Sequence, residues 1–224
     1  MASSPARCCV SKKGTPVTVD IFNDTDTPEL VHWHGQIIPT DVDGSAEEGT
    51  PYVPAQGMRR ITLTPKPAGF RFYHTHAVAG GDLNRGTYSG QAGPIYIEPK
   101  NDPGTYDREI FLTLKEFEPT FSQGGDMAMD FLTGHSFRVV SLDRNPVPNP
   151  ADVPVLWIGT AERISAIVEM HHPGVWVMGD LADDDRGHGM GIVVEYSGRS
   201  RQAAMGQAQA LPLGLHDLRQ NSSD

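Results

Sequence analysis

The chain has 224 residues, a formal net charge of −10, 38% hydrophobic and 21% charged residues. That size and composition fit one or two globular domains. The acidic balance argues against nucleic acid or an anionic membrane surface as partner, and no apolar run approaches the ~18 residues of a membrane span.

Residues 1–15 read as a flexible leader, without the apolar core of a signal peptide, so the compartment stays open. Cys8 and Cys9 are adjacent, a poor arrangement for a disulfide, and are read as incidental. Val17 to Phe22 alternates as a strand should and then turns at Asn23-Asp24. Leu30 to His34, Arg59 to Thr64, Phe70 to His74 and Gly93 to Ile97 complete a first β-sandwich over residues 16–99. The polar stretch Glu98 to Gly104 carries two prolines and marks a boundary. Short apolar runs resume at Glu109–Leu114, Ser136–Leu142, Val153–Ile158, Arg163–Met170 and Met190–Tyr196, the pattern of a second sandwich over residues 105–197. Residues 198–224 show no period and are read as a disordered tail. The acidic run Asp183-Asp184-Asp185 reads as a solvated loop.

Two His-x-His pairs carry the chemistry: His32-Trp33-His34 and His74-Thr75-His76. Positions i and i+2 of a strand share a face, so each pair aims two imidazoles at one place. Neutral imidazoles converging from two strands make a metal site, and an all-nitrogen set suits copper or zinc. Asp41, Asp43 and backbone carbonyls are the candidates for orienting the rings. Of the other histidines, His171, His172 and His188 are read as solvated loop residues, and His135 as the start of a strand near the domain surface.

The segments Leu30–Gln36, Gly49–Pro54, Gly69–His76 and Tyr88–Ile97 resemble, in order and spacing, the first cupredoxin domain of the multicopper oxidases. The resemblance implies an all-β fold of two cupredoxin-like Greek-key sandwiches. It implies copper as cofactor, with His32 as the type 2 ligand and His34, His74 and His76 as ligands of the paired type 3 coppers. The implied reaction is laccase-like: a phenolic or metal-ion reductant is oxidised and dioxygen is reduced. Relatives of this kind are often exported.

The second half resembles a cupredoxin stripped of its ligands. Gly134–Val140, Glu162–Glu169, Pro173–Trp176 and Gly189-Met190 match. Where copper-bearing relatives have His-Cys-His, this chain has Gly179-Asp180-Leu181, and Asp185 replaces the next histidine. A type 1 site needs a thiolate with two imidazoles, usually above a weak axial Met. Met190 alone cannot supply it and is read as core. The family's cluster takes its histidines from two domains, whereas only the first half of this chain supplies them. The second sandwich is expected to lack its first strands. Three readings follow. One is a copper oxidoreductase completed by an oligomer or a partner chain and inactive alone. Another is a copper-binding module without turnover. The third is a zinc site with a hydrolytic water.

Overall fold

The computed structural model describes residues 9–77, 91–101, 104–114, 128–143 and 145–199. The chain divides into two compact units, Met1–Phe121 and Ser122–Asp224. No helix among the described residues is long and apolar enough to cross a membrane.

The first unit contains β1 (Cys9–Lys12), β2 (Val17–Asn23), β3 (Val31–His34), β4 (Gly57–Leu63), β5 (Gly69–Thr75) and β6 (Ala92–Glu98), with a one-turn helix α1 (Thr40–Asp43). One sheet has the order β1-β6-β5-β3, and β2 pairs with β4 in a second. Strand alternation decides what lies between them. Val19 and Ile21 of β2, Ile61 and Leu63 of β4, Ile95 and Ile97 of β6, and Trp33 and Tyr73 of the histidine-bearing strands form one core. Val42 belongs to the same core, which pins α1 against β3. The opposite face of the four-stranded sheet is left to the histidines, because His32 and His34 alternate with Trp33, and His74 alternates with Tyr73.

Two sequence expectations are corrected here. Residues 9–12 are not leader: they form β1, parallel to β6 with Cys9 opposite Ile95 and Lys12 opposite Glu98. Its side chains are mostly exposed, so no hydrophobic period betrays it; the backbone ladder along β6 makes the strand. Residues 109–114 are not a strand of the second sandwich: they run without regular structure and fall in the first unit. Phe111 stacks on Phe70 with ring centroids 5.7 Å apart and leans on Tyr96 at 5.0 Å. The apolar spacing there serves docking against β5 and β6.

The second unit contains β7 (Ala128–Leu132), β8 (Phe137–Leu142), β9 (Asn145–Val153), β10 (Val155–Ile158), β11 (Ile164–Ile167), β12 (Val175–Asp180), α2 (Asp183–Gly187) and β13 (Gly191–Glu195). The sheets are β10-β7-β12-β13 and β11-β8-β9. Leu132 and Phe137, with Val139, Val147 and Val153, fill the core, and Leu156, Trp176, Met178 and Val194 pack against it. Among the described residues β7 lies inside its sheet and β9 borders the other. β9 was illegible because of Pro146, Pro148 and Pro150. The ladder to β8 is interrupted between Pro146 and Ala151, so Pro148 and Pro150 fall in the irregularity of a border strand, where no paired amide is lost. The acidic run expected to be a loop begins α2 instead. The expected tail lies, from residue 200 onward, outside the described residues.

Candidate metal centre

β3 and β5 pair antiparallel with His32 directly opposite His74 and His34 opposite Phe72. That register places three imidazoles on one face at the end of the sheet. His76 follows two residues after His74, just beyond the end of β5. Its amide still donates to the Leu30 carbonyl at 3.1 Å, which keeps the chain alongside β3.

The four rings come together. The His32 ring lies 5.5 Å from His34, 5.2 Å from His74 and 4.3 Å from His76, centroid to centroid. His34 and His74 are 5.4 Å apart, and His74 and His76 are 5.0 Å apart. His32, His34 and His74 each offer a ring nitrogen, all within 4.8 Å of one another. His76 is outside that tighter set and more exposed than the other three.

Backbone carbonyls fix the rings. His32 Nδ1 donates to the Asp43 carbonyl at 2.8 Å, and His74 Nδ1 donates to the Thr75 carbonyl at 2.9 Å. A carbonyl can only accept, so both rings carry their proton on Nδ1 and keep the Nε2 lone pair for a metal. His34 turns Nδ1 towards His74 Nε2, 3.3 Å away. Two nitrogens each about 2.0 Å from one ion at a tetrahedral angle would stand about 3.3 Å apart. That separation fits two ligands of a single ion.

Of the expected ring-orienting carboxylates, Asp43 is in place, its Oδ1 3.7 Å from His32 Nδ1. Its carbonyl is the closer partner. Asp41 is exposed, and its carbonyl accepts from Arg59 Nη2 at 2.6 Å. The loop that brings up Asp43 is held by residues that sequence reasoning missed. The buried Thr50 hydroxyl accepts from the amides of Gly44 at 3.0 Å and Ser45 at 3.1 Å, and donates to the Thr40 carbonyl. Gly44 has φ +90, and a Cβ there would run into the Val31 carbonyl and the His32 Cα. Only glycine lets the Asp43–Gly44 backbone lie this close to β3.

The charge state suits a metal. Burial, opposed by the Thr75 carbonyl and reinforced by His32 and His76, pushes the His74 imidazole down to about 4. His76 is also lowered, by burial first and His32 second, against the raising effect of Glu47 and Asp43. A neutral imidazole is the ligating form.

No second group of this kind occurs among the described residues. Gly179, Asp180 and Leu181 lie at the end of β12, and Asp180 is opposite Asp130 of β7. His135 is hydrogen-bonded to the Thr133 carbonyl and the Tyr196 hydroxyl, His172 donates to the Gly134 carbonyl, and His171 pairs with Glu169. Met190, expected in the core, is only half-buried.

Residues 3–102 match the multicopper oxidase family model. A copper resistance protein A homolog of Pseudomonas syringae pv. tomato is 30% identical over 107 residues, 47% of this chain and 17% of that protein. Multicopper oxidase MmcO of Mycobacterium tuberculosis is 28% identical over 104 residues, 46% of this chain and 19% of that protein. The matched stretch is thus less than a fifth of either relative's length. Among solved structures, the blue copper oxidase from Nitrosomonas europaea superimposes with a TM-score of 0.64 at 22% identity, over 84% of this chain and 76% of that one. Another multicopper oxidase gives a TM-score of 0.69 at 14% identity, over 85% and 77%. Both likenesses establish the cupredoxin sandwich fold.

Proposed function

Membership of the multicopper oxidase family, carried by residues 3–102, is the premise from which we propose that this chain is a copper protein with His32, His34, His74 and His76 as ligands. The observation that carries the reading is the convergence of His32, His34 and His74 ring nitrogens within 4.8 Å. Their donor set, neutral nitrogen on a rigid sheet, fits copper.

Each residue has a part. His32 and His74 bind through Nε2 because their Nδ1 protons are engaged by the Asp43 and Thr75 carbonyls. His34 would bind through Nδ1, the atom facing His74. His76, exposed and stacked beside His32, would join the copper-binding set from its edge. The Asp43 carboxylate lies beside the engaged His32 nitrogen, where it steadies positive charge and can hold or pass a proton. Bound copper supplies the one-electron chemistry by which the family oxidises a phenolic or metal-ion reductant and reduces dioxygen.

That reaction needs further histidines to complete the cluster, from a second domain, a second subunit or a separate partner. Among its described residues the second unit offers no ligand cluster and no thiolate at Asp180. The isolated chain therefore binds copper without turnover. Zinc is the competing occupant, since three imidazoles and a water also suit it.

Copper(II) titration with electron paramagnetic resonance tests the reading. Nitrogen superhyperfine lines that vanish in His74→Ala are expected, with no dioxygen uptake from a phenol. Silent spectra with tight zinc binding would replace copper by zinc. Dioxygen uptake by the purified, copper-loaded chain would refute the claim that it needs a partner.

A further inference from the structure

We propose that Glu29 is a positioning residue of the histidine cluster, its buried carboxylate fixing the Thr75 hydroxyl and, through the Thr75 peptide, the ring of His74 and the path to His76. The proposal rests on the copper reading for its purpose, but its geometry stands without the metal.

Glu29 is 9% exposed and Thr75 is 5% exposed. Both lie on the core side of the strands, behind the histidines. Glu29 Oε1 accepts from the Leu30 amide at 2.8 Å and from the Thr75 hydroxyl at 2.5 Å. Leu30 stands two residues before His32, and Thr75 stands between His74 and His76. One carboxylate oxygen therefore ties together the two strands that carry all four ligands. Its backbone adds a third tie, pairing in both directions with Val53 at 2.9 and 2.8 Å.

A carboxylate is costly to bury and is kept where its lone pairs meet specific donors. The choice of donor matters here. Thr75 gives its proton to Glu29, which leaves the hydroxyl oxygen to accept from the Ala77 amide at 3.2 Å. That bond spans two residues and sets the backbone turn at Thr75. The turn in turn aims the Thr75 carbonyl at His74 Nδ1 and sends the chain into His76. Without the Glu29 acceptor the hydroxyl is free to rotate, and the carbonyl that selects the His74 tautomer loses its fixed direction. A buried hydrogen bond of purely structural value would stabilise the fold but leave the imidazole unchanged, and this difference makes the proposal testable.

The test uses the full chain with nitrogen-15-labelled histidine, first without metal and then titrated with copper(II). In the wild type, long-range proton–nitrogen spectra are expected to show His74 as a single tautomer protonated on Nδ1. Thr75→Val keeps the side-chain shape and removes only the donor. It and Glu29→Ala are expected to shift the His74 nitrogens towards tautomer averaging and to weaken copper(II) binding about 10-fold, the usual scale for loss of an outer partner. Glu29→Gln keeps an acceptor oxygen and is expected to restore both signals. Wild-type His74 spectra in Thr75→Val, or Glu29→Gln as defective as Glu29→Ala, would overturn the proposal. If Glu29→Ala does not fold, Thr75→Val and Glu29→Gln decide it. The tautomer shift without copper binding by any variant, wild type included, would uphold the positioning role and sink the copper reading. Tight copper binding with unaltered tautomers would do the reverse.

Discussion

Replacing Asp130 by Asn should stabilise the second unit at neutral pH and make no difference in acid. Asp130 and Asp180 are 6% and 5% exposed and stand directly opposite each other on β7 and β12, on the face that carries Leu132 and Met178 into the core. Arg186 donates to the Asp180 carbonyl, pairs with Asp183 and lies over the Phe131 ring at 5.2 Å. Asp180 Oδ1 accepts from the Ala182 amide at 2.8 Å. Burial, and then the charge of Asp180, raise the Asp130 carboxyl from 3.8 to about 6. The folded state thus binds a proton that the unfolded state has released. Stability from this group is fully present below pH ~4 and is lost as pH rises through about 6. At about 1.4 kcal/mol per pH unit, the loss is about 3 kcal/mol. Asn has the same shape and no proton to lose. Urea denaturation followed by tryptophan fluorescence should show Asp130→Asn more stable than wild type by about 2–3 kcal/mol at pH 7.5, with the curves converging at pH 4. Asp180→Asn, which removes the repelling charge and keeps the oxygen facing Ala182, should move the wild-type pH dependence to lower pH. Equal stability of Asp130→Asn and wild type at pH 7.5, or an equal loss at both pH values, would refute the reasoning.

Three further outcomes are expected. In the metal-free chain His74 should titrate near pH 4, and because its folded value lies below 6.5, the stability it contributes is present above pH 6.5 and is lost as pH falls through about 4; histidine-resolved NMR titration reads the first, and acid denaturation compared with His74→Phe reads the second. Gly44→Ala should cost at least about 1–2 kcal/mol from its left-handed backbone alone, and more from the collision with Val31; copper affinity should fall with it as the Asp43 carbonyl leaves His32, measurable by denaturation and copper titration on one sample. Deleting residues 1–12 removes β1 and bares the edge of β6, so the shortened chain should lose stability and self-associate in light scattering, whereas a dispensable leader would leave both unchanged.

The histidine cluster was legible because strand alternation is a strict geometric rule. Once His32–His34 and His74–His76 lay on neighbouring strands, their convergence followed, and the structure brings the rings together through the register His32 opposite His74. The support behind them was not legible. Thr75 could have been suspected, because the middle residue of His-x-His must face the core. Glu29 and Thr50 act over long sequence separations through single side-chain oxygens, which leave no periodic trace. β1 escaped because an exposed edge strand needs only backbone pairing, and β9 because three prolines disguise an edge that tolerates them. Residues 109–114 misled in the opposite sense: their apolar spacing suggested a strand, yet Phe111 packs on Phe70 and Tyr96 without one.

The central claim is that the histidine cluster of the first unit holds copper. The most direct test is copper per chain after loading and desalting, for wild type and for the double variant His34→Ala/His74→Ala. The account predicts at least one tightly held copper in wild type and none in the variant. Copper retained by the variant, or absent from the wild type, would contradict it.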